Sequence, residues 1–437
     1  MREDLRRILD AGLAAADPAE AVRRHLRVEN GGVLAGDASF KPRRVFVLAA
    51  GKAAGAMARA AEEVLGDRIA GGLVVTKHGH EAASERLDVL FAAHPEPDES
   101  SVEAARRAEE LARSLGEDDL LLALISGGAS ALLADPTPPV GIADLKSLTG
   151  DLLRSGASIG EINAIRKHIS VLKGGGLVRL AAPAQTLALL LSDVVGDDLS
   201  SIASGLTAPD TTTLDDVRAI VDRYSLSLPD SVRKHLEGVP ETPKPGDEVF
   251  ERVVNVLVGG ARPTAEAAAE AAREAGYEPL LLSTFITGEA RAVAGFHAAV
   301  VREVLESGNP LAPPCALVTG GEATVVVRGE GRGGPNGEFS LALALELEGV
   351  EGWAAFAVDT DGNDGPTEAA GGIVDGRTAG RIREGGVEPL WALEENDAHA
   401  ALEAGGALLF TGPTGTNVND LRVVLVAGGR GSAGGTP

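Results

Sequence analysis

Apolar runs of about six residues alternate with longer amphipathic stretches through most of this chain, the pattern of a parallel α/β sheet. Val45–Ala50, Gly72–Thr76, Leu87–Ala92, Leu120–Ile125 and Thr186–Leu191 read as buried strands. Lys52–Leu65 and Ser101–Leu115 carry helical spacing, and the first ~35 residues read as amphipathic helix. The segment Gly238–Asp247, with three prolines, reads as a linker or long loop. A second series follows: strand Val253–Val258, helix Thr264–Ala275, strand Pro279–Ser283 and helix Glu289–Glu306. Strands Cys315–Thr319 and Thr324–Arg328 flank a Gly-Gly-Glu turn. Helix Phe339–Leu347, strand Trp353–Val358 and the apolar run Ala407–Phe410 complete the series, and Gly428–Pro437 reads as a disordered tail. At 437 residues the chain exceeds the size at which one core stops growing. The expectation is an α/β fold of two domains, 1–240 and 250–437, each with a largely parallel sheet flanked by helices.

Charge narrows the partners. With 64 acidic and 40 basic side chains the net charge is −24, a field that repels nucleic acid and anionic membrane surfaces. An anionic substrate therefore needs a local basic site. The single Cys315 excludes an intramolecular disulfide, which suits a reducing cytoplasm. The charged start, Met1 to Arg7, leads into no long apolar stretch, so neither a signal peptide nor an anchor is expected. Only eight of the basic residues are Lys, and none follows Lys244, so a lysine inside a glycine motif stands out.

Several loops could carry chemistry. Ala50-Gly-Lys-Ala-Ala-Gly55 joins a strand to a helix, an anion-binding geometry to which Lys52 adds full charge. It completes neither a Walker A loop nor a dinucleotide fingerprint. Ile125-Ser-Gly-Gly-Ala-Ser130 repeats the architecture, so the N–H groups around Gly127 and Gly128, with Ser126 and Ser130, could cradle a carboxylate or phosphate. Asn163-Ala-Ile-Arg-Lys-His168, continuing to Lys173, is the densest basic cluster and places Arg166 on a helix. Asp193 ends a strand, where a carboxylate can orient a hydroxyl or act as base. Gly320-Gly-Glu322 and Gly331-Arg-Gly-Gly-Pro-Asn-Gly-Glu338 add glycines beside Arg332, Asn336 and Glu338. Each motif also has a purely structural reading, as a tight turn, a capped helix or a solvated face.

The acidic loop Asp359-Thr-Asp-Gly-Asn-Asp364 follows a buried strand. Clustered carboxylates repel one another unless a cation sits among them. Counted as a calcium loop it fails, since position 6 is Asp364 and position 12 is Ala370. Magnesium held by one or two carboxylates and by substrate phosphates fits better.

From Gly51 to Asp420 the chain resembles the class II glycerate kinases (glycerate 2-kinases) with a C-terminal MOFRL domain. The resemblance rests on the strings GKAAGAM, ISGGAS, NAIRKHISVLKGGG, LSDVVGDDLSSIASG, TGGEATV, DTDGNDGPTEAAGG and TGPTGTNVNDL, in that order. It implies two α/β domains, the first Rossmann-like, enclosing an active-site cleft. It also implies ATP-dependent phosphorylation of D-glycerate at its C2 hydroxyl, giving 2-phosphoglycerate, with Mg²⁺. The family's lysine matches Lys52 and its aspartate matches Asp193. Its string Gly-Gly-Arg-Asn-Gln-Glu stands here as Gly333-Gly-Pro-Asn-Gly-Glu338, so Pro335 replaces an arginine and Gly337 a glutamine, with Arg332 the nearest substitute.

On this resemblance Lys52 is expected at the transferred phosphate and Asp193 at the hydroxyl. Ser126, Gly127, Gly128, Ser130 and Arg166 would hold the glycerate, and Asp359 and Asp361 the Mg²⁺. Gly320, Gly321, Glu322, Asn336 and Glu338 would face the nucleotide. The alternatives are a hydroxypyruvate reductase, against which the absent dinucleotide motif argues, and a non-catalytic nucleotide-binding protein. Oligomeric state is left open.

Overall fold

The computed structural model describes residues 1–80 and 82–428, so most of the expected tail, from residue 429, lies outside the described residues. The chain forms two compact units, residues 18–258 and residues 1–17 with 259–437. The division therefore differs from 1–240 and 250–437. The first helix, Arg2–Ala15, belongs with the C-terminal unit, and residues 241–258 belong with the other.

In the 18–258 unit, a helix Pro18–His25 leads into a small antiparallel meander of β1 (Leu26–Glu29), β2 (Gly32–Ala35) and β3 (Ala38–Phe40). The expected amphipathic helix over the first ~35 residues is thus two helices that end at His25, with strands after them. Asn30 and Gly31 take positive φ (49° and 81°), the turn chemistry of a tight hairpin. The main sheet holds β4 (Arg44–Ala50), β5 (Ile69–Lys77), β6 (Asp88–Ala92), β7 (Asp119–Ile125), β8 (Gln185–Leu191) and β9 (Val253–Gly259). Its order is β6-β5-β4-β7-β8-β9, with β6 through β8 all parallel. All seven residues of β7 are buried, which is why Leu120–Ile125 reads as a continuous apolar run instead of alternating. From β4 the chain winds outward through β5 and β6, then returns to the other side of β4 with β7. The C-terminal ends of β4 and β7 thus flank a topological switch point, where open α/β sheets bind ligands.

Between β7 and β8 the helices Ile142–Ser155 and Ile159–His168 pack with Leu214–Arg223 and Asp230–Gly238 around a separate core that includes Leu148, Leu152, Ile165, Val217 and Val232. Only the basic segment of this cluster was legible as a helix in advance.

The other unit has a six-stranded sheet of β10 (Glu278–Glu289), β11 (Cys315–Thr324), β12 (Trp353–Asp359), β13 (Gly371–Asp375), β14 (Leu408–Leu409) and β15 (Asp420–Val426), ordered β10-β11-β15-β12-β13-β14. Only β10 and β11 pair in parallel; the remaining pairs are antiparallel. The sheet is mixed, not largely parallel. Parallel neighbours need a crossover, usually a helix, and the segment joining β12 to β13 contains none. β15, unread in the sequence, is fully buried and lies between β11 and β12. β11 runs straight through Gly320-Gly-Glu322, so the expected turn and second strand at Thr324–Arg328 are absent. Gly321 permits this at φ +125°, where a Cβ would meet Ile286 O at 2.2 Å. The helix Pro335–Glu346 begins four residues earlier than Phe339, with Pro335 in its first turn.

Candidate active site

The loops after β4, β6, β7 and β8 meet at the switch point of the 18–258 unit. A cavity of about 630 Å³ opens there, lined by Gly128, Ser130, Arg166 and Asp193 among the sequence candidates, and also by His94, Asp135 and Lys173. The loops are laced by backbone and serine bonds. Lys52 N–H donates to Gly127 O (2.9 Å), Ser126 N–H to Ala50 O (3.0 Å) and Ala53 N–H to Ser126 Oγ (3.1 Å). Ser126 is buried and holds the β4 loop in place, so it supports the site without lining the cavity. Gly51 must be glycine, since its φ is +128° and a Cβ would stand 2.2 Å from Ser126 Oγ.

Gly127 is constrained by Asp193. A Cβ there would lie 2.0 Å from Asp193 Oδ2. Burial pushes the Asp193 carboxyl above its ordinary pKa, and the charge of Lys52 draws it partly back. Lys52 and Asp193, far apart in sequence, are thus electrostatic neighbours. Ser130 Oγ bonds Ser204 Oγ (2.9 Å), which donates to Asn163 Oδ1 (3.1 Å).

The basic cluster resolves into different roles. Lys167 is buried against Asp210 (3.2 Å), and Lys173 against Asp135 (2.6 Å) and Leu133 O (2.7 Å). His168 contacts Ala164 O (2.8 Å) and Glu241 (3.2 Å). Arg166 differs from all of these. It is half-buried, lines the cavity, and has no ion pair or hydrogen bond among the described residues. Burial alone lowers its pKa. A guanidinium taken partly out of water without a partner is a fork awaiting an anion. Asp198 instead binds Ser200 and Ser201 within its own turn.

His94, absent from the sequence candidates, stands two residues beyond β6 and lines the same cavity. The signal that could have found it is a polar side chain just past a parallel strand's C-terminal end.

In the other unit the acidic loop divides. Asp364 accepts N–H bonds from Asn336 (2.9 Å) and Gly337 (2.7 Å), capping the helix Pro335–Glu346. Burial pushes its pKa up to about 7 against these bonds. Asp359 is pushed up to about 8, first by burial and then by Asp361, whose N–H it accepts (3.0 Å). Asn336 is buried and donates to Asp420 (2.6 Å), which also takes Ala323 N–H (2.9 Å) and pairs with buried Arg422. Glu338 is buried between Arg291 (2.7 Å) and Asn396 (2.9 Å), so its carboxylate holds elements together. Arg332 pairs with Glu368 at the surface, and its N–H donates to Asp397 (3.1 Å). Gly320 and Gly321 are buried within β11, and Glu322 is exposed on it. No set of three His, Cys, Asp or Glu side chains forms a ready metal cage among the described residues. No helix among them is long and apolar enough to cross a membrane.

Comparison with known proteins identifies the family. Residues 4–237 match a family described as a domain of unknown function (DUF4147), and residues 315–420 match the MOFRL family. A D-glycerate 2-kinase of Thermotoga maritima is 44% identical over 88% of this chain and 91% of its own. The crystal structure of a glycerate kinase from the same organism superposes with a TM-score of 0.87 at 41% identity, covering 96% of this chain and 98% of that one. A protein of Agrobacterium vitis, named provisionally as a hydroxypyruvate reductase, is 44% identical over 97% of this chain and 94% of its own. Fold and relatives together define an α/β kinase. The chain belongs to the glycerate kinase family, with a DUF4147 region followed by a MOFRL domain.

Proposed function

We propose that the protein transfers a phosphoryl group from ATP to the C2 hydroxyl of D-glycerate, giving 2-phosphoglycerate and ADP. The observation that carries this reading is the Arg166 guanidinium, without a partner among the described residues, on the cavity that Asp193 lines. A small hydroxy acid needs a cation for its carboxylate and a carboxylate for its hydroxyl, and both face one cavity here. Arg166 holds the substrate carboxylate, with Gly128 and Ser130 beside it. Asp193 accepts the hydroxyl proton as the oxygen attacks the γ-phosphorus, and the leaving group is ADP. Lys52, whose charge Asp193 already senses, stabilises the transferring phosphoryl oxygens.

Asp359 and Asp361 fit Mg²⁺, because their mutual repulsion and the burial of Asp359 are costs that a divalent cation relieves. When bound, the ion neutralises nucleotide phosphate charge. Gly320, Gly321 and Glu322 are assigned to the nucleotide. Arg332 supplies the cation that Pro335 lacks, so Arg332→Ala should lower kcat about tenfold or more. Asn336 and Glu338 act through the scaffold that shapes this loop.

The direct test is ADP formation from ATP and D-glycerate, with the product position read by ³¹P NMR. NADH oxidation with hydroxypyruvate, run beside it, would instead favour a reductase. Lys52→Ala that stays folded and keeps most of its turnover would sink the central assignment.

A further inference from the structure

Two neighbouring glycines make room for two side chains. A Cβ at Gly127 would stand 2.0 Å from Asp193 Oδ2, and one at Gly128 would stand 3.1 Å from both Cδ2 and Nε2 of His94. The loop after β7 therefore receives a carboxylate on one residue and an imidazole on the next. Lys52 joins them, its Cγ 3.4 Å from the same Gly128 position. The imidazole faces the cavity that Arg166 and Asp193 also line.

His94 differs from the protein's fully buried histidines. His168 contacts Ala164 O and Glu241, His235 contacts His168 O, and His297 contacts Val293 O and Thr319. His94 is half-buried, and neither of its ring nitrogens has a hydrogen-bond partner among the described residues. A ring held at a polar cavity with both nitrogens uncommitted offers a fixed donor and a fixed acceptor.

Its charge narrows what it can bind. Burial pulls its pKa down to about 4, helped by Lys52, then Lys77 and His80. The ring is therefore neutral at pH 7. A carboxylate or phosphate is better served by the cations Arg166 and Lys52, whereas a hydroxyl, which both donates and accepts, matches a neutral imidazole.

We propose that His94 is a specificity-determining residue that hydrogen-bonds the second, non-reacting hydroxyl of the acceptor substrate. The inference rests on the kinase reading above. There Arg166 takes the carboxylate and Asp193 the C2 hydroxyl, which leaves the C3 hydroxyl of glycerate as the polar group without a partner. A site built around that hydroxyl discriminates against an analogue lacking it, because the imidazole then stays unpaired.

The test is calorimetric binding of D-glycerate and of D-lactate, which is glycerate without its C3 hydroxyl, to the full chain and to His94→Leu and His94→Asn. His94→Leu should weaken glycerate about tenfold or more while moving lactate by less than about twofold, and His94→Asn should recover part of the loss. Equal weakening of both ligands means a structural role and overturns the inference. So does unchanged glycerate affinity in His94→Leu, or a wild-type protein that binds glycerate no better than lactate. Failure of the wild-type protein to phosphorylate glycerate counts against the kinase reading alone, because the binding ratio still judges His94.

Discussion

Arg166 and Asp193 show how function and stability oppose one another at single residues. Asp193 binds its proton more tightly in the folded chain than in the unfolded one. Between its unfolded and folded pKa values the folded state therefore holds more protons, and stability falls as pH rises. Asp193→Asn should abolish turnover yet raise the melting temperature at pH 7, with little change at pH 3. Thermal scans at the two pH values check this. Turnover itself should rise with pH through the Asp193 titration, since only the carboxylate accepts a proton. Lys52→Met removes the charge that draws Asp193 down, so its titration, followed by ¹³C NMR, should move to higher pH. Arg166→Ala should cost about 10²-fold in kcat/KM for glycerate while leaving the melting temperature unchanged or higher, because a half-buried unpaired cation is removed.

At the scale of elements, the acidic loop does two jobs with adjacent residues. Asp364 caps the helix Pro335–Glu346 through Asn336 and Gly337, while Asp359 accepts the N–H of Asp361 within the loop. Asp364→Ala should therefore cost about 1–2 kcal/mol of stability, measured by chemical denaturation. Asp361→Asn should leave stability nearly unchanged while weakening the Mg²⁺ dependence of turnover. The reverse pattern would make Asp361 the structural residue. The same loop shows why spacing was not enough. Three aspartates in a row of turns look alike in sequence, and only the approach of a helix N-terminus separates the cap from the others. The basic cluster divides for the same reason. Lys167 and Lys173 find Asp210 and Asp135, residues 43 and 38 positions away, and Arg166 has no partner among the described residues.

At the scale of the whole molecule, the first helix is part of the C-terminal unit. Leu5, Ile8 and Leu9 are buried in a core shared with Ala265, Ala268 and Ala272 of the helix Ala261–Glu274. Burying each large side chain contributes about 1.5–3 kcal/mol. A chain starting at Pro18 should therefore unfold its 259–437 unit at lower temperature and expose it to protease, while residues 18–258 keep their resistance. In the C-terminal unit His297 acts against Asp359 and Asp364, which hold their protons more tightly in the folded chain and so favour folding as pH falls. Burial pulls the His297 pKa down to about 4, whereas in the unfolded chain it is near the ordinary 6.5. The unfolded state binds that proton first, so the contribution of His297, present above pH 6.5, is lost as pH falls toward 4, by roughly 3 kcal/mol. His297→Gln should remove that loss, so the melting temperature at pH 4 relative to pH 7 should be higher than in the unsubstituted chain.

The sequence by itself determined the alternating β and α elements of the first sheet, because parallel strands buried on both faces leave unbroken apolar runs. It also singled out Lys52 and Asp193, charged residues at strand ends, and Arg166, in the densest basic cluster of an acidic chain. Tertiary structure alone decided the rest. β15 reads as an ordinary apolar run, and its antiparallel place between β11 and β12 depends on long-range pairing that no local pattern encodes. Glu338 and Ser126 have the chemistry of ligands, but their partners in space make them supports. His94 carried only the weak local signal of a polar side chain just past a strand end. Its meaning comes from Gly128, a residue 34 positions later, whose missing side chain is the space it fills.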